Sequence, residues 1–442
     1  MADDLPPVLL ELPRRDSPAP ESQPAPRYAT ANRTQIELVP TDLDALLPPG
    51  HMARLVWRFA EGLNLSAFYA AIKAREGHPG RDPIDPRILV ALWLYATIDG
   101  VGSARELDRL CVSHDAYRWI RGGVSVNYHT LSDFRSDHDV ALDELLTQSI
   151  AALRSRGVVT LARVAQDGMR VRASAGAGSF RREGTLRECL KEAEKLVART
   201  KRQGEGGPTR AEAAQARAAA DRLAHVTEAL AQLPAVAAAK ARTAQTQKRG
   251  KPPTAARVST TDPDARRMKM SDGGYRPAYN VQFATDHESD VIVGVAVTNA
   301  GSDQQELVPM LSQIAGRVGA PATLLVDGGF VSHAAIDETT ARGVTVIAPV
   351  PRRRGSTEPV PVQATDSPAV AAWRVRMQTD DAKSQYRFRG AIAERINADA
   401  RTHRTLNCLL VRGLTKVHAW VLWVALAHNL IRTMDVVPHL MT

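Results

Sequence analysis

Apolar residues recur at helical spacing in the first third of the chain. Between residues 51 and 153 they fall three and four positions apart, as at Ile88, Leu92 and Tyr95. Pro86 is typical of a helix start, and Gly100 is typical of a helix end. The pattern therefore predicts several short helices joined by tight turns.

Two further helix starts are predicted from capping residues. Ser103 followed by Glu106 forms a capping box, and Thr130 with Asp133 marks another start. Two helices at this spacing are compatible with a DNA-binding helix-turn-helix, and equally with a structural helical bundle.

A different pattern follows, with short apolar runs of strand length that are rich in Val and Ile or bounded by Gly, Asp or Pro. The runs are Val158–Val164, Tyr279–Ala284, Val291–Val297, Thr323–Val326 and Val344–Ala348. Helical patterns return around Glu394 and from Val417 to Met434, where Trp420 and Trp423 are expected to lie in a buried helix. The order predicts a mixed α/β domain.

The segment from residue 181 to 257 interrupts these strands and is strongly basic. It holds 17 Lys and Arg against 8 Asp and Glu, which accounts for the whole net charge of +9. Leu186, Leu190, Ala193 and Val197 share one helical face, and Leu223, Val226, Leu230 and Leu233 share another. We therefore predict an inserted basic helical hairpin, broken at Gly204–Pro208 and left through Lys248–Pro253.

The composition argues against a zinc site, a disulfide framework and insertion in a membrane. The three cysteines, Cys111, Cys189 and Cys408, lack the spacing of a zinc site or a disulfide framework. The start of the chain lacks a secretory leader, and its apolar runs are shorter than the ~18 residues of a membrane helix. We expect a cytoplasmic protein, not inserted in a membrane, with a flexible Pro-rich tail over residues 1–35.

Three acidic residues stand where metal-dependent chemistry could use them. Asp167 and Asp327 are predicted at the ends of strands, and Glu394 is predicted on a helix. Carboxylate oxygens on two strand ends and a facing helix can hold two Mg²⁺ ions ~3.5 to 4 Å apart for phosphodiester chemistry. Singly, each residue is equally an ordinary turn or surface residue.

Several motifs together resemble those of the DDE transposases of bacterial insertion sequences. They are Asp167-Gly-Met-Arg-Val-Arg, Asp262-Pro-Asp-Ala-Arg-Arg-Met-Lys, Gly274-Tyr-Arg-Pro-Ala-Tyr-Asn-Val-Gln and Leu325-Val-Asp-Gly-Gly-Phe, and the resemblance runs from about His51 to Leu430. It implies an RNase H-like mixed sheet flanked by helices, interrupted by the basic hairpin and preceded by an all-α domain. Asp167, Asp327 and Glu394 would be the catalytic, metal-binding triad, holding two Mg²⁺ that Mn²⁺ can replace.

The segment around Glu394 is similar to the tyrosine, arginine, glutamate and lysine motif of this family. Tyr386 and Arg389 would support the site or the DNA, and Arg401 takes the place of the lysine. Four residues separate Arg389 from Glu394, where the motif more often has three. The competing acids are Asp380, Asp381 and Asp399. Asp264 and Lys269 lie in the second motif, but a turn residue and a solvated lysine are equally plausible interpretations of them.

The resemblance implies DNA as the partner, both the element ends and the target, bound by a homodimer or larger oligomer. Residues 36–155 would recognise the terminal inverted repeats, with Arg121, His129 and Arg135 as candidate base contacts, and residues 156–442 would form the catalytic domain. Arg199, Lys201 and Arg202 of the hairpin would contact phosphates. The expected function is Mg²⁺-dependent DNA cutting and strand transfer. A decayed DNA-binding protein and a structure-specific nuclease of the same fold are the alternatives.

Overall fold

The computed structural model describes Thr34, Ala74, Gly355 and residues 42–72, 82–203, 209–246, 255–353 and 358–436. The tail predicted over residues 1–35 lies outside this described part, apart from Thr34. So do the predicted hairpin break at Gly204–Pro208 and the exit at Lys248–Pro253. Residues Leu43–Thr442 belong to one compact unit.

The region before the first strand is helical, as its spacing predicts. Its helices are α1 Met52–Gly62, α2 Ser66–Ala70, α3 Pro86–Ile98, α4 Ala104–Ser113, α5 Asp115–Arg121, α6 Tyr128–Ser136 and α7 Asp139–Ser155. Side-chain caps fix the starts of several of them. Ser103 accepts a hydrogen bond from the Glu106 N–H and caps α4. The predicted start at Thr130 is wrong by one turn, because Asn127 caps α6 by accepting from the Thr130 N–H (3.0 Å).

The rest of the described chain contains both strands and helices. The strands are β1 Arg163–Arg172, β2 Phe180–Arg181, β3 Val258–Ser259, β4 Arg266–Lys269, β5 Tyr275–Asp286, β6 Ile292–Thr298, β7 Thr323–Leu325 and β8 Thr345–Ile347. The helices are α8 Glu183–Gln203, α9 Arg210–Thr246, α10 Leu307–Val318, α11 His333–Ala341, α12 Pro368–Arg376, α13 Asp380–Thr402 and α14 Leu414–Val436.

The main sheet is mixed. Its central strand β1 pairs antiparallel with β5 on one side and parallel with β7 on the other, and β7 pairs parallel with β8. β6 and β4 share the outer edge of β5, since β6 pairs with residues 280–285 and β4 with residues 275–278. Antiparallel pairing joins β4, β6, β5 and β1, and parallel pairing adds β7 and β8, so six strands flanked by helices form the RNase H-like sheet.

The predicted first strand is displaced along the sequence. The apolar run Val158–Val164 mostly precedes β1, which begins at Arg163 and continues through Asp167. Asp167 therefore does not close the strand but lies in its middle, paired with Phe283 of β5. Alternation explains the difference, because β1 buries Val164, Met169 and Val171 between polar positions instead of forming one apolar run.

The basic hairpin leaves and rejoins the sheet domain through a narrow neck, formed by antiparallel β2 and β3. Beyond the neck, α8 and α9 pack on each other through the predicted apolar faces, where Leu186, Ala193, Val226 and Leu233 are buried. Most of the described Lys and Arg side chains of the two helices are exposed. Gln232 of α9 also reaches the sheet domain, donating to Asp264 Oδ1 (2.7 Å).

The last helix, α14, is buried on nearly every side, as predicted from its apolar composition. It packs against β6 and against α3, α6 and α7. Trp420 and Trp423 are core residues whose indole N–H groups donate to Thr405 Oγ1 (3.2 Å) and to the Arg135 carbonyl (3.1 Å). One core is therefore continuous between the helical region and the sheet.

Candidate active site

Strand register brings two of the predicted acids together. Ala165 of β1 pairs with Leu325 of β7 in parallel register. Asp167 and Asp327 each follow this pair by two residues, so they lie side by side where β7 has ended and β1 continues. The equal spacing, rather than a shared strand end, explains their convergence.

The two carboxylates differ in their surroundings. The Asp167 side chain is 18% exposed, and its Oδ1 and Oδ2 accept from Arg389 Nη2 (2.6 Å) and Asn397 Nδ2 (2.8 Å). The Asp327 side chain is 41% exposed and its Oδ1 accepts from the Gly329 N–H (2.7 Å) in the turn after β7. Arg389 Nη2 also approaches Asp327 Oδ2 at 3.7 Å, so one nitrogen lies against both aspartates.

Helix α13 carries the groups that face Asp167. Thr379 caps its first turn by accepting from the Ala382 N–H, and Asp380 and Asp381 favour that end of the helix dipole. Arg389 and Asn397 are eight residues apart and therefore share a face, two turns from each other. Sequence reasoning missed Asn397, although its spacing from Arg389 is the signal that would have identified it.

Burial makes ionisation of the Asp167 carboxyl group unfavourable. Desolvation raises the pKa of its carboxyl group above the ordinary value, and the positive charge of Arg389 only partly opposes that rise. The negative charge of Asp327 raises the pKa further. A carboxylate of this kind favours a nearby cation.

Glu394 is exposed and is not gathered with the two aspartates. Its Oε1 lies along the helix near Gly390, and among the described residues no three His, Cys, Asp or Glu side chains form a group that could hold a metal ion. The three competing acids each have another partner. Asp380 pairs with Lys383, Asp381 accepts from Gln385, and Asp399 pairs with Arg404.

The residues predicted to contact DNA occupy different environments. Arg199, Lys201 and Arg202 are exposed on α8. Tyr386 is partly buried and packs against the core, and the Arg401 guanidinium lies 3.5 Å from the Arg170 carbonyl. His129 is exposed, whereas Arg121 is half-buried and donates to the Val124 carbonyl (3.0 Å).

Arg135 does not fit the predicted contact with DNA bases. It is only 5% exposed and lies between the rings of Trp93 (4.7 Å) and Trp420 (4.2 Å). Its Nη1 donates to the Gly102 carbonyl, and burial lowers the pKa of the guanidinium to about 10. Its cation–π contacts stabilise the core instead.

The donors at Asp167 and Asp327 fit a divalent cation. They are hard carboxylate oxygens from adjacent strands, and both already face a single positively charged nitrogen. Either aspartate can offer an oxygen to the same ion. Glu394 does not form one group with these two carboxylates in the structure.

Behind Asp167, the opposite face of β1 carries a second polar cluster, which we call the back cluster. It consists of Gln166, Arg170, Asn280, Gln282 and Asp303. Asp303 Oδ1 accepts from Asn280 Nδ2 and Gln282 Nε2 (both 2.7 Å), and Oδ2 accepts from Arg170 Nη1 (3.0 Å). Gly168 lies against this cluster, where a Cβ atom would come within 2.3 Å of Gln282 Nε2.

Two family models match this chain. The transposase DDE domain matches residues 242–430, which include Asp327 and Glu394 but begin after Asp167. The transposase domain DUF772 matches residues 41–137, from before α1 to the end of α6. No curated protein and no solved structure matches the chain. Because the two models together cover more than half of its residues, the chain belongs to the DDE transposases of insertion-sequence elements, a family of polynucleotidyl transferases.

Proposed function

We propose that this protein is the transposase of an insertion sequence, and that it cuts and rejoins DNA at Asp167, Asp327 and Glu394. Family membership implies transposition and DNA binding, and DDE transposases generally use divalent metal ions. The observation that supports the site most directly is the approach of Asp167 and Asp327 to one cationic nitrogen.

In the proposed site, Asp167, Asp327 and Glu394 would hold two Mg²⁺ ions. The ions would supply activation of the attacking oxygen and stabilisation of the leaving oxygen in an in-line displacement at phosphorus. Asn397 keeps Asp167 oriented through its 2.8 Å hydrogen bond. A water molecule as the attacking group gives hydrolysis and a free 3′-hydroxyl, and that hydroxyl as the attacking group gives strand transfer.

One assay tests cutting and joining together. Labelled DNA from the ends of the element is incubated with the full-length protein, unlabelled target DNA and Mg²⁺. We expect nicked ends and joined products, both lost in Asp327→Asn and Glu394→Gln. Glu338→Gln is the matched control, because Glu338 is an exposed acid on α11 that pairs with Arg342. Retained cleavage in Glu394→Gln, with loss in an Asp380, Asp381 or Asp399 variant, would assign the third carboxylate elsewhere.

The same assay separates the proposal from its alternatives. A decayed, DNA-binding relative would retard the labelled ends but produce neither product. A structure-specific nuclease would cut and never join. Mn²⁺ is expected to replace Mg²⁺ more readily than Ca²⁺, because Ca²⁺ prefers a larger and looser oxygen shell.

We further propose that the hairpin lies along DNA phosphates through Arg199, Lys201 and Arg202. These side chains are exposed at one end of α8, within the segment that holds the net positive charge of the chain. Replacing all three with Ala should flatten the slope of log affinity against log salt by roughly one for each phosphate that the variant no longer neutralises. An unchanged slope would leave the hairpin as a spacer or dimerisation element.

Recognition of the terminal repeats is assigned in this proposal to residues 36–155, with Arg121 among the contacts. Because α14 contributes to the core of that region, the experiment uses the full chain rather than a fragment. Gel shifts at fixed salt compare end DNA with scrambled DNA, and Arg121→Ala should reduce the difference in affinity. The mass of the protein–DNA complex tests the expected homodimer or larger oligomer.

A further inference from the structure

The Arg389 guanidinium has an incomplete set of partners. Its Nη2 serves both Asp167 (2.6 Å) and Asp327 (3.7 Å), although a guanidinium can bind a carboxylate through two parallel N–H groups. Its Nε is buried and has no hydrogen-bond acceptor among the described residues. The side chain is only 12% exposed, so water compensates little for these missing contacts.

This geometry differs from that of Arg374, another buried arginine of the sheet domain. Arg374 binds Asp366 through Nε (2.8 Å) and Nη2 (3.3 Å), and its Nη1 donates to the Val360 carbonyl (3.2 Å). Every nitrogen of that guanidinium has a partner, which is expected of a permanent structural pair. Arg389 leaves its Nε unpaired, as Arg317 does, but it differs from both arginines in facing two carboxylates through one atom.

We propose that Arg389 is an exchangeable counter-cation, which neutralises Asp167 and Asp327 in the metal-free enzyme and leaves them when a divalent ion binds. This inference rests on the proposed function, because it takes the two aspartates as metal ligands. The guanidinium and the metal ion compete for the same oxygens. Arg389 therefore weakens metal binding in the free enzyme, and its departure frees an N–H fork that suits a phosphate.

The opposite role makes the opposite prediction. If Arg389 were a clamp that held the aspartates in position for the metal, its removal would weaken metal binding. Competition and clamping therefore change the metal affinity in opposite directions. Metal affinity decides between them without any measurement of catalysis.

The experiment measures Mn²⁺ binding to the full-length protein without DNA, by electron paramagnetic resonance of the free ion. We expect Arg389→Gln to bind Mn²⁺ roughly tenfold more tightly than the wild type, the change that corresponds to removal of a competitor worth ~1.4 kcal/mol. Arg387→Gln is the matched control, because Arg387 is exposed on the same helix and loses the same charge. It should change the affinity by less than about twofold if the effect is competition.

Equal or weaker Mn²⁺ binding by Arg389→Gln would overturn the inference, as would equal tightening in Arg387→Gln. Asp167→Asn separates this failure from failure of the proposed site. If Asp167→Asn weakens Mn²⁺ binding but Arg389→Gln does not tighten it, only the counter-cation role is wrong. If Asp167→Asn leaves the affinity unchanged, the metal site itself is wrong.

A second measurement covers the case in which Arg389→Gln folds poorly. In Arg389→Ala, added methylguanidinium should weaken Mn²⁺ binding competitively, because it can occupy the position of the missing side chain. The same addition should not affect Arg387→Ala. No effect of methylguanidinium on a folded Arg389→Ala protein would contradict the proposal.

Discussion

Acidic residues with contrasting surroundings lie at the two faces of β1. On the front, Asp167 pairs with a helix-borne arginine and an asparagine, and its arginine partner is shared with Asp327. On the back, Asp303 accepts three short hydrogen bonds, two of them from side chains of the neighbouring strand β5. Both acids are largely buried beside the same strand.

Under the proposed roles, the contrast separates a carboxylate held by fixed partners from one whose partners can exchange. The partners of Asp303 project from two paired strands, whose register fixes them in place. The partners of Asp167 come from α13, which packs on the sheet without such register. A carboxylate that must bind metal and substrate needs partners that can move, whereas a structural carboxylate benefits from fixed ones.

Substitutions at the two faces of β1 should differ most in their effect on catalysis. Asp167→Asn keeps the side-chain shape but removes the charge that would bind metal, so DNA cleavage should fall at least ~1000-fold. DNA binding should persist, since phosphate contacts come mainly from Lys and Arg. Single-turnover cleavage of labelled ends measures the first effect, and gel shifts measure the second.

Asp303→Asn provides the comparison for that variant. An asparagine has only one acceptor oxygen, so at least one donor among Asn280, Gln282 and Arg170 loses its partner. We expect the free energy of unfolding to fall by about 1–3 kcal/mol, with cleavage by the folded protein reduced less than about tenfold. A loss of cleavage as large as that of Asp167→Asn, without loss of stability, would show that the back face takes part in chemistry.

Gly168→Ala should destabilise the back cluster by inserting a methyl group into it. The added Cβ would meet Gln282 Nε2 at 2.3 Å and Asp303 Oδ1 at 2.6 Å, so one of these side chains must move. Overpacking of this kind costs about 1–3 kcal/mol in urea unfolding. Gly178→Ala is the control, because its Cβ would meet nothing within 4 Å. Equal stability of both variants would mean that the back cluster rearranges freely.

The smallest expected effect is that of Glu306→Gln on stability, and it depends on pH. Burial raises the pKa of its carboxyl group, the hydrogen bond from Thr298 opposes the rise, and the charge of Asp303 adds to it. A raised folded-state pKa gives stability that is fully present below the ordinary value of 4.5 and is lost as pH rises through the folded-state pKa. Glu306→Gln should therefore be more stable than the wild type at pH 7, by roughly 0.5 kcal/mol, and lose this advantage near pH 4. Urea unfolding at the two pH values checks it, and an advantage at pH 4 that equals the one at pH 7 would contradict it.

Sequence patterns predict much of the fold, and the motifs single out the two aspartates. Periodicity locates α3 and α14, and short apolar runs locate β5 to β8. The apolar pattern places β1 too early because the alternating polar residues of this strand face the back cluster, which no single-strand pattern reveals. The adjacency of Asp167 and Asp327 depends on a β1–β7 register that local spacing does not encode.

Contacts between residues that are distant in sequence explain the features that local patterns do not predict. The polar local sequence of Arg135 favours a DNA-facing helix, but Trp420, distant in sequence, covers this residue. Glu394 is exposed on α13 and is not grouped with the aspartates, a placement that depends on how α13 packs on the sheet. The back cluster joins three separate segments, so none of its residues forms a recognisable motif alone.

The neck formed by β2 and β3 has a consequence for the order of folding. The insertion lies between β1 and β5 in sequence, so pairs such as Gln166 with Ala284 must close a loop that spans it. Contacts between α8 and α9 are local by comparison, and local contacts form first because they close shorter loops. Once the hairpin is formed, Arg181 and Val258 are held together at the neck. Early formation of the hairpin should therefore shorten the loop that must close before β1 and β5, the central antiparallel pair of the sheet, can assemble.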